Sequence, residues 1–449
     1  MNSKLFISII VISILTATLS GCVEEDDKEP IEKTTTELAL EFMNIILQEK
    51  LSEAYDYFSP LMKSQFSYEQ FEGTWNYIET TYGDFESIGD TSESVEEDYD
   101  IVFINCTFSN DYFIIFKIVF DENKEISGFL TEKIDTITPY VAPEYVDTSS
   151  FTEIEVTIGS EPWELPGTIS IPNGQGPFPS VVLVQGSGAN DRDETIGPNK
   201  PLKDIAWGLA SNNVIVLRYD KRTKVYPEET AGDKNLTVKE EVVDDVIEAV
   251  KFLQTYEQIN QNQIFVLGHS LGAMMAPQIA STEQNVSGLI MLAAPARGLE
   301  DLIYNQTLYL SELDGVVDEN ESAVINTTIE ALEKIKSLNI SEDEQVFTVY
   351  RKYWEYLNNY NQVQTAEDLT IPILLLQGKR DYQVTHDEDY SIWNLTFSDN
   401  NNVLLKTYAQ LNHIFLPGEG TPANTEYMTQ GHVPEEVIQD IVNWIAGGS

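Results

Sequence analysis

Several residue types that usually signal a function are scarce in this 449-residue chain. There are only two cysteines, Cys22 and Cys106, which excludes a fold stapled by a disulfide framework. There are only four histidines, none of them in an H-E-x-x-H pattern or a Cys/His cluster, so the sequence offers no ligand set for a metal hydrolase and implies no cofactor. Basic residues are few: 26 Lys and Arg stand against 74 Asp and Glu, a net charge of −48. A field of that sign repels phosphate backbones and argues against nucleic acid as a partner. It also suits solubility in a salty or extracellular medium. With 42% hydrophobic, 10% aromatic and 22% charged residues, the chain has the composition of a folded globular protein of two or three domains.

Long apolar runs are also few. Lys4 precedes the run Leu5 to Leu19, which is short for a membrane span and has the length of a signal-peptide core. Leu19-Ser20-Gly21-Cys22 follows and resembles the bacterial lipobox, in which the cysteine is lipidated and becomes the first mature residue. Residues 1–21 are therefore expected to be a lipoprotein signal peptide. Residues 22–34, with Glu24, Glu25, Asp26, Asp27 and Glu29, are expected to be an acidic tether. The protein is expected to be exported, anchored to the membrane by lipid on Cys22 and facing away from the cytoplasm. Cys106, in the apolar run Ile101 to Cys106, then reads as a buried, inert thiol.

Two folded units follow. Residues 35–137 read as a small α+β domain: Thr36 as the cap of a helix with Leu38, Phe42, Ile45 and Ile46 on one face, then strands over 101–108, 112–120 and 126–134. This order looks like the cone-shaped nuclear-transport-factor-like folds, and resembles an uncharacterised domain often placed before secreted hydrolases. A packing or spacer role is expected. Residues 138–150, with Pro139, Pro143 and Ser149-Ser150, read as a linker. From 151 to 449, short apolar runs such as Val181–Val184, Ile264–Leu267 and Ile373–Leu376 alternate with helical stretches, the pattern of a mostly parallel sheet covered by helices. Between 297 and 369 that alternation stops, and helices are expected over 323–338 and 344–360. An insertion of this size reads as a lid that limits substrate size.

Gly268-His269-Ser270-Leu271-Gly272 has the form G-x-S-x-G between a buried apolar run and a helix, where the glycines allow a strained turn that exposes the Ser270 hydroxyl. A serine hydroxyl needs a base and an orienting carboxylate, which follow in the order acid, histidine. Asp381 comes just past the strand Ile373–Leu376, and His413 follows the next strand, Val403–Leu405. Of the other histidines, His269 belongs to the turn itself and is expected to pack, while His386 and His432 read as surface residues. A developing oxyanion needs two backbone donors: Leu271 supplies one, and Ser187 in Gln185-Gly186-Ser187-Gly188 is the candidate for the second.

From about Phe151 onward the chain resembles α/β-hydrolases of the EstD-type carboxylesterase group, close to serine-aminopeptidase-like hydrolases. The resemblance rests on Gln185–Gly188 with Asn190-Asp191-Arg192-Asp193-Glu194, on Arg218-Tyr219-Asp220-Lys221-Arg222, on Gly268–Gly272, on Gln377-Gly378 leading to Asp381, and on Leu411-Asn412-His413. Gln185 stands where relatives usually have the His of a His-Gly pair. The resemblance implies an α/β-hydrolase fold with a lid insertion, and a serine carboxylesterase acting on small-molecule esters through an acyl-enzyme. A peptidase or other acyl hydrolase of the same fold, or an inert envelope-binding protein, are the alternatives.

Overall fold

The computed structural model describes residues 33–447 apart from 97, 98, 111, 137 and 138, so the expected signal peptide and Cys22 lie outside the described residues. The chain divides into two compact units, with the boundary between Tyr140 and Val141.

The first unit opens with the helix Thr35–Leu47. Its cap is Thr34, not Thr36: the Thr34 hydroxyl accepts from the Glu37 amide while the Glu37 carboxylate accepts from the Thr34 amide. Three further helices, Leu51–Tyr55, Pro60–Gln65 and Tyr68–Tyr82, lead into a four-stranded antiparallel meander over 85–96, 99–108, 112–120 and 126–136. Phe42, Phe71 and Trp75 from the helices pack with Cys106, Phe108 and Phe116 from the sheet. The first strand was not anticipated because, of its residues, only Phe85 is buried and little apolar alternation marks it. Cys106 is fully buried, and burial pushes its thiol up to about 12, so it stays protonated and unreactive near neutrality.

The second unit begins earlier than the sequence suggests. From Val141 onward the expected linker is packed: the Tyr145 hydroxyl donates to the Val433 carbonyl at 2.7 Å and the Asp147 amide to the Ser211 hydroxyl at 3.0 Å. Proline and serine there shape a strap, not a free tether.

The unit is built on eight strands: β1 Phe151–Ile158, β2 Leu165–Pro172, β3 Phe178–Val184, β4 Ile215–Tyr219, β5 Ile259–His269, β6 Gly288–Leu292, β7 Ile373–Gly378 and β8 Val403–Tyr408. They lie in the order β8-β7-β6-β5-β3-β4-β2-β1, and only the pairings made by β2 are antiparallel. The central strands separate their side chains by twos. Val182, Val184, Val266 and Leu375 join one core with the helices α2 (Asp244–Leu253) and α3 (Leu271–Thr282). Val181, Leu183, Leu267 and Leu376 join a second core with the helix α1 (Pro201–Ser211) and the closing helix Glu435–Ile445. Burial on both faces explains why these strands are continuous apolar runs.

The insertion contains the helices α4 (Leu299–Ser311), α5 (Glu319–Ser337) and α6 (Arg351–Asn358). The helix expected over 344–360 is shorter: Gln345–Val346 pairs with Val349–Tyr350, and Phe347 and Thr348 take positive φ in the turn, so helix begins only at Arg351. A π-helical turn, Lys239–Val243, precedes α2. Among the described residues, no helix is long and apolar enough to cross a membrane.

Candidate active site

Ser270 stands between the end of β5 and the start of α3, with φ 52° and ψ −115°. That left-handed conformation is costly for a residue with a side chain and holds here because the turn is tied at both ends. The Ser270 amide donates to the Leu292 carbonyl of β6 at 3.0 Å, and its carbonyl accepts from the Met274 amide of α3 at 2.8 Å. The hydroxyl makes no capping bond to the helix and is half-buried. Close approach explains both flanking glycines. A Cβ at Gly268 would sit 2.3 Å from the Gly272 carbonyl oxygen, and one at Gly272 would sit 2.5 Å from the Val184 carbonyl oxygen.

Asp381 and His413 come together from the loops after β7 and β8. The Asp381 Oδ1 accepts from the Gln383 amide at 2.8 Å and the Val384 amide at 2.9 Å. Its Oδ2 accepts from the Gln377 amide group at 3.1 Å and lies 2.8 Å from His413 Nδ1. Both residues are buried, so the carboxylate has one orientation and His413 Nδ1 carries the proton donated to it. The loop that carries His413 is a tight turn organised by Asn412, whose side-chain oxygen accepts from the Ile414 and Leu416 amides. It is brought against the loop that carries Asp381 by the Arg380 amide, which donates to the Leu411 carbonyl at 3.0 Å. Gly378 permits this approach, since a Cβ there would meet that carbonyl at 2.3 Å.

His269 does more than pack. Its Nδ1 lies 3.0 Å from Glu194 Oε1 and its Nε2 lies 2.9 Å from the carbonyl oxygen of His413. A carbonyl only accepts, so His269 Nε2 is a donor, while Nδ1 and Glu194 Oε1 share a hydrogen between them. Burial alone would lower its pKa, but the Glu194 carboxylate outweighs it and the net shift is upward. The bond to His413 also places its loop beside the residue that precedes Ser270, with the two imidazole centroids 4.8 Å apart.

A second acid–histidine pair exists. His432 Nδ1 lies 3.1 Å from Asp204 Oδ1, so His432 is not the free surface residue that was expected. The hydrogen bond to Asp204 raises its pKa, and the pairing stabilises the fold fully below about pH 6.5 and less as pH climbs through the raised value. Asp204 is fully buried on α1 and also accepts from the Val433 amide at 2.9 Å, so the pair fastens the closing segment to α1. His386 stacks on Tyr390 and bonds to the exposed Asp387.

The loop after β3 carries Ser187, which is exposed. Neither the Ser187 amide nor the Leu271 amide meets an acceptor among the described residues. The Gly186 amide donates to Glu194 Oε1 at 2.6 Å, and a Cβ at Gly186 would lie 3.2 Å from Ser270 Cβ, so this loop runs directly against the turn that holds Ser270. Gln185 replaces the histidine of the resemblance by donating its amide group to the Tyr219 and Asp191 carbonyls. The Asn190–Glu194 and Arg218–Arg222 segments clamp each other. Arg192 takes Asp220 in a two-pronged pair at 3.0 and 2.8 Å, and Arg218 pairs with Asp193 and with Glu153 of β1. Glu194, Lys221 and Gln377 were not foreseen as site residues; an acidic residue, a lysine and a glutamine gave no signal beyond their place in those segments.

The insertion reaches the site elements. Tyr309 of α4 stacks at 5.1 Å on Tyr382, the neighbour of Asp381, and the Tyr360 hydroxyl donates to the Met274 carbonyl of α3 at 3.0 Å. A cleft of about 470 Å³ opens beside α6, lined by Gln278, Lys352 and Tyr356 among others, but not by Ser270, Asp381 or His413. No group of three or more His, Cys, Asp or Glu among the described residues is arranged to hold a metal ion.

Comparison with known proteins gives the family. Residues 39–129 match a family described as "Protein of unknown function (DUF3887)", and residues 201–419 match "Serine aminopeptidase, S33". The esterase EstD of Thermotoga maritima is 40% identical over 404 residues, which span 90% of this chain and 93% of that protein. Among solved structures, Est1E from Butyrivibrio proteoclasticus is 15% identical with a TM-score of 0.42, covering 65% of this chain and 99% of its own. An esterase from Pyrococcus furiosus is 18% identical with a TM-score of 0.42, covering 69% and 96%. Identity of this extent over nearly the full length of both chains, together with the mostly parallel sheet and the serine turn at its centre, means that this chain belongs to the EstD esterase family of α/β-hydrolases, with a DUF3887 domain preceding the hydrolase unit.

Proposed function

We propose that the chain is an exported, lipid-anchored serine carboxylesterase. Ser270 attacks the ester carbonyl while His413 Nε2 takes its proton and then delivers it to the leaving alcohol. The same histidine activates the water that hydrolyses the acyl-enzyme. Asp381 holds the His413 tautomer and stabilises the imidazolium, and the Ser187 and Leu271 amides bind the oxyanion. The observation that carries this reading is the 2.8 Å contact between His413 and Asp381 in a loop bonded to His269, the residue next to the left-handed Ser270. A fluorophosphonate probe is expected to label the protein at Ser270, and the Ser270→Ala variant is expected to lose both labelling and hydrolysis of short p-nitrophenyl esters. Labelling that survives in Ser270→Ala overturns the assignment. A panel of aminoacyl amides beside the esters decides between esterase and peptidase, and a silent probe in the wild type favours an envelope-binding role.

Location rests on the sequence Leu19-Ser20-Gly21-Cys22 and the acidic stretch after it. Mass spectrometry of membrane-extracted protein is expected to show a chain beginning at a lipidated Cys22, and Cys22→Ser is expected to release the protein from membranes. An intact segment from Met1 to Gly21 refutes this.

A further inference from the structure

Lys221 is one of the most buried cations in the hydrolase unit, its side chain 2% exposed. Such a charge persists only when paired and hydrogen-bonded. Lys221 follows β4, and its Nζ makes two buried contacts: 2.7 Å to Glu241 Oε1, in the π-helical turn before α2, and 2.8 Å to the carbonyl oxygen of Gly186. The other oxygen of Glu241 accepts from the Tyr353 hydroxyl of α6 at 2.8 Å. A line of hydrogen bonds thus runs from the insertion to the loop after β3.

Its end point is the peptide unit joining Gly186 to Ser187. That bond is trans, so the Gly186 carbonyl and the Ser187 N–H share one plane and point in opposite directions. With the carbonyl held by the buried ammonium at 2.8 Å and by the Asn190 side-chain amide at 3.2 Å, the N–H is directed the other way. A cation on the carbonyl also polarises the amide and strengthens its N–H as a donor. The preceding peptide is held separately, through the Gly186 N–H on Glu194.

We propose that Lys221 is the positioning residue of the oxyanion hole, setting the direction and donor strength of the Ser187 N–H, and that Glu241 and Tyr353 couple this setting to the insertion. The inference rests on the esterase reading above, because it needs an oxyanion for Ser187 to bind.

Lys221→Met alone would strand the Glu241 carboxylate, so the test uses Lys221→Met/Glu241→Gln, which removes both charges together. Active sites are counted with the fluorophosphonate, and kcat for a short p-nitrophenyl ester is expressed per titrated site. The donor is misdirected rather than deleted, so kcat is expected to fall about 10- to 100-fold with KM little changed. Affinity for a trifluoromethyl ketone, whose hydroxyl adduct with Ser270 mimics the oxyanion, is expected to fall by the same factor. Tyr353→Phe, which removes one hydroxyl, is expected to lower both by about threefold. A merely structural Lys221 would reduce stability and the number of titrated sites but leave kcat per site and ketone affinity unchanged, which overturns the proposal. Should the double variant fail to fold, unchanged values in Tyr353→Phe overturn it. A wild type unlabelled at Ser270 is a different result and removes the esterase reading itself.

Discussion

Replacing His413 by alanine is expected to lower kcat for a short p-nitrophenyl ester by about 10⁴- to 10⁶-fold while the protein stays folded. The size follows from losing the group that takes the Ser270 proton in the proposed mechanism. The fold survives because the supports of the site do not depend on the imidazole. Asp381 keeps the Gln383 and Val384 amides and Gln377, and the residue 413 carbonyl still accepts from His269. His432→Ala is the contrasting variant. It loses a pairing with Asp204 that fastens the closing segment, so it is expected to keep most of its activity and to melt at lower temperature than the wild type. That stability difference is largest below about pH 6.5 and narrows as pH rises through the raised pKa of His432. A larger loss of kcat in His432→Ala than in His413→Ala would transfer the base to the Asp204 pair.

One methyl group on Gly272 is expected to cost a large part of the rate without removing any reacting group. The added carbon would lie 2.5 Å from the Val184 carbonyl oxygen and 2.8 Å from that of Gln185. Both are backbone atoms, so no side chain can rotate away, and overpacking of this kind costs about 1–3 kcal/mol. Either α3 withdraws, carrying Ser270 and the Leu271 amide with it, or the end of β3 yields and moves the Gly186–Ser187 peptide. Both routes separate Ser270 from one of the proposed oxyanion donors, and a displacement of about 1 Å is worth about 100-fold in rate. Gly272→Ala is therefore expected to lower kcat by about 100-fold or more and to reduce Tm. Wild-type kcat and Tm in that variant would show that the contact between helix and strand is loose.

The parts legible in the sequence are those where one residue's chemistry or one segment's pattern suffices. Val181–Val184 and Ile373–Leu376 stand out because both faces of each strand are buried. Ser270, Asp381 and His413 stand out because each follows a strand, in the chain order that goes with this fold. The hairpin β1–β2 escapes because β1 exposes much of its length and β2 contains Pro166 and Gly167. Strand 85–96 escapes for the same reason of exposure. The supports of the site are hidden for another reason. Glu194 meets His269 across 75 positions, and Lys221 meets Gly186 across 35, so only the folded topology brings them together.

The reciprocal clamp between Asn190–Glu194 and Arg218–Arg222 has an evolutionary corollary. Arg192 with Asp220, and Arg218 with Asp193, are four charges at partly or fully buried positions, and removing any one of them takes a counter-ion from its partner. Substitutions in the two segments are consequently epistatic: a change tolerated in one depends on what the other carries. The two stretches can drift only as a matched set, and transplanting either one alone into a relative with a different counterpart would disarrange the loop against which Ser270 sits.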